Sequence, residues 1–313
     1  MPAIPGLRTW SIIHCHWPWL VFVPCLWLAG CRAGPPANTQ APRDSRLRVV
    51  VSIEPQAFFV ERVGGGRVEA TVLVPPGQSP HAFEPLPAQV AALDSADLYL
   101  TIGMPFEAPL LARVQAVRPG LRVADMRRGV RLLPMAADDH AVGEAGMDPH
   151  VWLDPRRAIT MARNTRDDLV GLDPAGAAAY DANLAALTAE LEALDSRLRA
   201  HLAPLRGSEV LVFHPAFGYL CDAYGLRQVA IEDHGKEPDA RQLGEIITEA
   251  RARGAKVVFV QPGFSDLAAR AVAREIGGTV VPLDDLARDY VDNMEHMAQV
   301  LAERLSEPAG SLP

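Results

Sequence analysis

The sequence predicts an α/β protein of two similar lobes, each a mostly parallel four-stranded sheet with flanking helices, joined by one long rigid helix. Two observations carry this expectation. Strand-like runs come in two sets of four, with helical stretches between the runs. The gap between the sets is filled by a segment whose apolar residues recur at helical spacing.

The first set of runs is 47–53, 69–74, 97–102 and 121–125; the second is 209–213, 228–231, 256–260 and 279–281. Most are continuous apolar stretches, the pattern of parallel strands covered on both faces. In the gap, Tyr180, Leu184, Leu187, Leu191, Leu194 and Leu198 step by four and three residues. Pro174 marks the first turn of this helix, and Pro204 with Gly207 marks its end. A helix over 174–203 is ~45 Å long at 1.5 Å per residue. It is too short and too closely flanked by α/β units for a coiled-coil dimer seam, so a connecting helix in a monomer is expected.

The first 31 residues differ in kind. They hold Arg8, no acid, and an apolar run from Trp17 to Leu28 that ends in Leu28-Ala29-Gly30-Cys31. A short cationic region before a short apolar core reads as an export signal. Small residues before a cysteine resemble the lipobox of bacterial lipoproteins, with Cys31 as the lipidated residue. The run is shorter than the ~20 residues of a spanning helix and holds two prolines. Residues 32–46, rich in Pro, Ala and polar side chains, read as a flexible tether. The expected organisation is therefore signal 1–31, tether 32–46, first lobe 47–173, linking helix 174–203 and second lobe 204–313. With the signal removed and Cys31 acylated, Cys221 is the remaining thiol of the mature chain and no internal disulfide is expected.

The whole chain carries a net charge of −8; without Arg8 it is 29 basic against 38 acidic residues, or −9. This argues against nucleic acid as a partner. At 49% hydrophobic and 22% charged, the composition is that of an ordinary globular protein.

Three histidines and an aspartate stand where strands are expected to end. His81 follows the second run in a stiff Pro75-Pro76-Gly77-Gln78-Ser79-Pro80 loop. His150 follows the fourth run in Asp148-Pro149-His150-Val151-Trp152-Leu153-Asp154-Pro155. His214 closes the apolar run 210–213, and Asp284 follows 280–283. Ligands bind at the carboxyl ends of strands in α/β sheets. Three imidazoles and a carboxylate complete a tetrahedral Zn²⁺ shell. Asp148 or Asp154 is placed to hold the second ring nitrogen of His150, although Asp154 before Pro155 also reads as a helix N-cap. Asp285 competes with Asp284 for the fourth place. His234, Asp285 and His140 are secondary metal candidates. Cys221, His201, His296, Met294 and Met297 read as packing or surface residues.

The segments SIEPQAFFVERVGG, VLVPPGQSPHAFEP, DPHVWLDP, FHPAFGYLCDAYGL, GKEPDARQLGEII, VVFVQPGFS and VVPLDDLARDYVDNM together resemble the zinc/manganese solute-binding lipoproteins of ABC importers, in their ZnuA-like and TroA-like branch. The resemblance covers nearly all of the mature chain. It implies two α/β lobes with a metal in the cleft between them, held by His81, His150, His214 and Asp284. It implies capture of Zn²⁺, with Mn²⁺ as the alternative, and delivery to a permease and ATPase complex. It also implies an exported lipoprotein, periplasmic or at the cell surface, anchored to the membrane by lipid. Manganese-selective relatives are similar but place a carboxylate at the position of His214, and imidazole suits Zn²⁺ better. Many zinc members carry a His-rich loop before the DPH motif; here the loop 138–147 has His140 alone. A zinc hydrolase is the competing expectation, with Glu84 or Glu232 as base, but H-E-x-x-H, G-x-S-x-G and P-loop motifs are missing. A surface adhesin of the same fold is the third. The expectation is a receptor and not an enzyme.

Overall fold

The structure is a computed structural model that describes residues 46–135, 146–232, 239–263 and 267–306. Cys31, the signal segment, His140 and His234 lie outside the described residues.

The first sheet contains β1 (Leu47–Val51), β2 (Val68–Val72), β3 (Leu98–Thr101) and β4 (Arg122–Asp125), in the order β2-β1-β3-β4. The second contains β5 (Glu209–Val212), β6 (Arg227–Ala230), β7 (Val257–Val260) and β8 (Thr279–Pro282), in the order β6-β5-β7-β8. Every pairing is parallel, so the two lobes repeat one plan. The order explains the composition of the strands. β3 and β7, at sheet centres, are buried throughout. The edge strands tolerate Glu69, Arg122, Arg227 and Gln228 because one side of each faces solvent.

The remaining helices are α1 (Glu54–Gly64), α2 (Pro87–Ser95), α3 (Glu107–Val117), α4 (Pro155–Leu172), α5 (Ala177–Leu202), α6 (Gly218–Tyr224), α7 (Ala240–Ala252), α8 (Leu267–Ile276) and α9 (Tyr290–Ser306). Helix α5 is the expected long helix, with the 3-10 turns Pro174–Gly176 and Ala203–Leu205 at its ends. Its seam residues Tyr180, Leu187, Leu191, Leu194 and Leu198 are fully buried. They pack α5 against α1 and α4 of the first lobe and α9 of the second. One continuous apolar core therefore runs through both lobes. A smaller, separate core of Leu211, Phe213, Ile231, Val258, Val260 and Val272 lies on the other face of the second sheet.

Further contacts cross between lobes. Trp152 donates its indole N–H to the Asp285 carbonyl at 2.7 Å, and the Tyr290 hydroxyl donates to the Trp152 carbonyl at 2.6 Å. Arg288 pairs with Glu54 at 2.7 Å and also with Glu61. At the loops after β2 and β7, Gly77 and Gly263 meet backbone to backbone. A Cβ on Gly263 would stand 2.3 Å from the Gly77 carbonyl oxygen, whereas one on Gly77 would meet nothing within 4 Å.

A buried polar knot closes the first lobe. The Glu107 carboxylate accepts N–H bonds from Ile102 (2.9 Å), Gly103 (2.7 Å) and Met104 (3.1 Å), and the Ser52 hydroxyl also donates to it. Burial pushes this carboxyl up to about 7, against the pull of Ser52 and the Ile102 and Gly103 N–H groups.

Two outcomes are expected. Gly77 and Gly263 both have positive φ, so alanine strains either backbone, but only Gly263→Ala also wedges the two loops apart. Gly263→Ala is expected to lower the melting temperature more than Gly77→Ala; equal losses would mean that the contact contributes nothing. The raised Glu107 group binds its proton more readily folded than unfolded. Its contribution is fully present below pH ~4.5 and is lost as pH rises through about 7. The stability advantage of the wild type over Glu107→Gln, read from urea melts, is expected to shrink between pH 5 and pH 8.

Candidate metal centre

His81 sits on the 3-10 turn Pro80–Ala82, eight residues after Leu73, in the loop that follows β2. His150 directly precedes the turn Val151–Leu153 that leads into α4. His214 stands two residues past the end of β5. The first two belong to one lobe and the third to the other, yet their rings converge. Ring centroids lie 4.5 Å apart for His81 and His214, 5.2 Å for His81 and His150, and 5.4 Å for His150 and His214. Among the described residues, these three form the group of histidine, cysteine and carboxylate ligand atoms that close within 4.8 Å of one another. The Nε2 atoms of His81 and His150 are 3.1 Å apart. Two nitrogens on a tetrahedral zinc at ~2.05 Å stand ~3.3 Å apart, so this pair already has the required spacing.

Each of the two deepest histidines is held by a carboxylate. His150 Nδ1 meets Asp148 Oδ1 at 2.6 Å, and the same oxygen accepts the His150 backbone N–H at 2.9 Å. His214 Nδ1 meets Glu232 Oε2 at 2.6 Å. A carboxylate accepts from Nδ1–H, so these partners assign the tautomer and turn each Nε2 lone pair inward. Asp148 is brought there by contacts from the other lobe. The Tyr219 hydroxyl donates to the Asp148 carbonyl at 2.8 Å. Gly218 leaves room for Asp148 Oδ2, which would lie 2.7 Å from a Cβ at that position. Glu232 stands just past β6, where its backbone N–H bonds the Phe213 carbonyl at 2.8 Å. The β5–β6 pairing therefore brings Glu232 to His214 without any nearness in sequence.

The electrostatics favour the neutral form of His81 and His150. Burial, then the neighbouring His150 and His214, hold His81 well below the usual imidazole range. Burial and then His214 do the same for His150. A neutral imidazole is the form that binds a metal ion. Burial also pushes Asp148 up to about 7. A divalent ion on His150 Nε2 would supply the positive charge that draws Asp148 back to its ionised form.

The other sequence candidates divide as follows. Asp284 Oδ1 accepts the Leu286 N–H at 2.8 Å, and the residue lines a cavity of ≈ 350 Å³ with Ile53, Glu54 and Arg288. Asp285 is buried, its carboxyl pushed up to about 7 by burial and then by the charge of Asp284. The buried amide of Gln261 approaches that carboxyl and favours its ionised form, without reaching hydrogen-bond geometry. Neither aspartate joins the three histidines within 4.8 Å. Asp154 caps α4 by accepting the Arg156 N–H at 2.9 Å, which leaves Asp148 as the partner of His150. Glu232, weighed from sequence as a base, is instead the partner of His214; an acid at a strand end was the available signal. Glu84 is exposed. Cys221 is buried, and its thiol is pushed up to about 12 by that burial, so it is inert packing. His201 and His296 are exposed, and Met294 and Met297 are core residues.

Comparison with known proteins bears on the family and the fold. The family model described as the periplasmic zinc-uptake complex component A matches residues 49–304. The chain belongs to this zinc-uptake component family. Among curated relatives, the high-affinity zinc uptake system protein ZnuA of Bacillus subtilis is 26% identical over 300 residues, covering 90% of this chain and 94% of its own length. The manganese-binding lipoprotein MntA of Halalkalibacterium halodurans is 27% identical over 302 residues, covering 92% and 97%. A crystal structure of ZnuA is 38% identical, with a TM-score of 0.78, and covers 83% of this chain and all of that one. The two parallel four-stranded sheets with flanking helices are the fold of these family members. Among the described residues no helix is long and apolar enough to cross a membrane.

If the two carboxylates fix the ring tautomers, Asp148→Asn and Glu232→Gln should each weaken metal binding by roughly 10–100-fold with all ring nitrogens still present. Competition titration against a chromophoric chelator checks this; unchanged affinity in both variants would remove the orienting role.

Proposed function

We propose that this protein is an exported metal receptor that captures Zn²⁺ between its two lobes and hands it to the permease of an ABC importer. The observation that carries this reading is the convergence of His81 and His150 from one lobe with His214 from the other, within 4.8 Å. Membership of the zinc-uptake component family and a relative described as a high-affinity zinc uptake protein support it. Three imidazole ligands favour zinc over manganese, which prefers oxygen donors. The relative described as a manganese-binding lipoprotein keeps Mn²⁺ as the alternative cargo.

In this reading Asp284 fills the fourth position, its loop moving from the cavity beside Glu54 and Arg288 toward the histidines, with Asp285 as the competing donor. The anchor is a lipid on Cys31. A receptor needs no general base, and the buried carboxylates nearest the histidines, Asp148 and Glu232, are already engaged in holding the rings.

A metal that joins ligands from both lobes stabilises the folded state by mass action, ~2.7 kcal/mol at a hundredfold excess over Kd. Zinc is expected to raise the melting temperature of the wild type strongly and manganese weakly. His214→Ala should abolish the zinc shift; Asp284→Ala and Asp285→Ala, measured side by side, should show the larger loss at Asp284. A wild-type protein that melts at the same temperature with and without either ion would sink the proposal.

A further inference from the structure

His150 and His214 each have a carboxylate on Nδ1, at 2.6 Å in both cases. His81 is positioned differently. The described hydrogen-bond partner of its ring is His150 itself. The loop that carries it gives little backbone support: among the described residues the hydrogen bonds within 75–85 run from Gln78 to Pro75 and from Ala82 to Ser79, inside the loop. Beside the backbone contact of Gly77 with Gly263, what ties this loop to the body is apolar. Phe83, two residues beyond His81, is buried edge-on against Phe106, with centroids 4.9 Å apart and planes at 78°. Phe106 in turn stands on a rigid base. It lies between Met104, whose N–H bonds Glu107, and Glu107 itself, whose carboxylate gathers the N–H groups of residues 102–104. The carboxylate is thereby fixed to the end of β3, and through Ser52 to the end of β1.

We propose that Phe83 and Phe106 are positioning residues for His81, setting the third imidazole through its backbone as Asp148 and Glu232 set the other two through their rings. This rests on the metal reading of the three histidines. Edge-to-face aromatic contact has a preferred geometry, so it fixes the loop in angle as well as in distance. A leucine would keep the site apolar and lose that geometry.

The test is a double-mutant cycle on the whole exported chain, with zinc affinity and the cobalt(II) visible spectrum as readouts. Phe106→Leu is expected to weaken zinc binding about tenfold and to shift the cobalt spectrum toward that of His81→Ala. In the His81→Ala background the same substitution should change affinity less than about twofold, because its target is gone. Phe83→Leu approaches the contact from the loop side and gives the same test if Phe106→Leu folds poorly. Full additivity with His81→Ala, or an unchanged affinity in both leucine variants, overturns the positioning role while leaving the metal site intact. A His81→Ala protein that binds zinc as the wild type does would overturn the ligand reading, and this inference with it.

Discussion

Two short carboxylate–imidazole contacts, Asp148 with His150 and Glu232 with His214, are the constraint on which the centre depends. Without them neither tautomer of a buried ring would be favoured over the other. With them, Nδ1 of each ring is engaged and Nε2 is the nitrogen left for a ligand. The carboxylates are themselves held by ordinary architecture, Glu232 by strand pairing and Asp148 by Tyr219 and by the space at Gly218. Sheet register and one missing side chain are thus converted into ligand geometry.

Much of this was legible in the chain. All eight strands fall within two residues of their expected bounds, because parallel strands read as apolar runs whatever their partners. The α5 seam declared itself through its leucines. His214 stood out because it follows an apolar strand directly, and His81 and His150 because each sits in a proline-bearing loop after a strand. Glu232 was visible as an acid at a strand end, but its pairing was not, since His214 and Glu232 are 18 residues apart and meet only once β5 and β6 are in register. The Phe83–Phe106 contact was hidden for the same reason. Adjacent acids in a sequence do not encode which of Asp284 and Asp285 turns toward the histidines, and neither stands within 4.8 Å of them in the structure.

The two lobes are less independent than their repeated topology implies. A single core runs through α1, α4, α5 and α9, and Trp152 bonds across to Asp285 while Tyr290 returns to Trp152. Such packing resists wide opening, because separating the lobes would expose apolar surface along the whole length of α5. A rearrangement of the loops in which Gly77 meets Gly263 and Arg288 reaches Glu54 would leave that core intact.

The smaller core beneath α7 and α8 is a different matter. Phe213 and Ile231 belong to it, and each is the immediate neighbour in sequence of a member of the His214–Glu232 pair. Local melting of this layer would slacken one of the two clamped rings while the larger core stayed intact. A heat-worn molecule of this kind would still look folded to most probes, with His214 already released from Glu232.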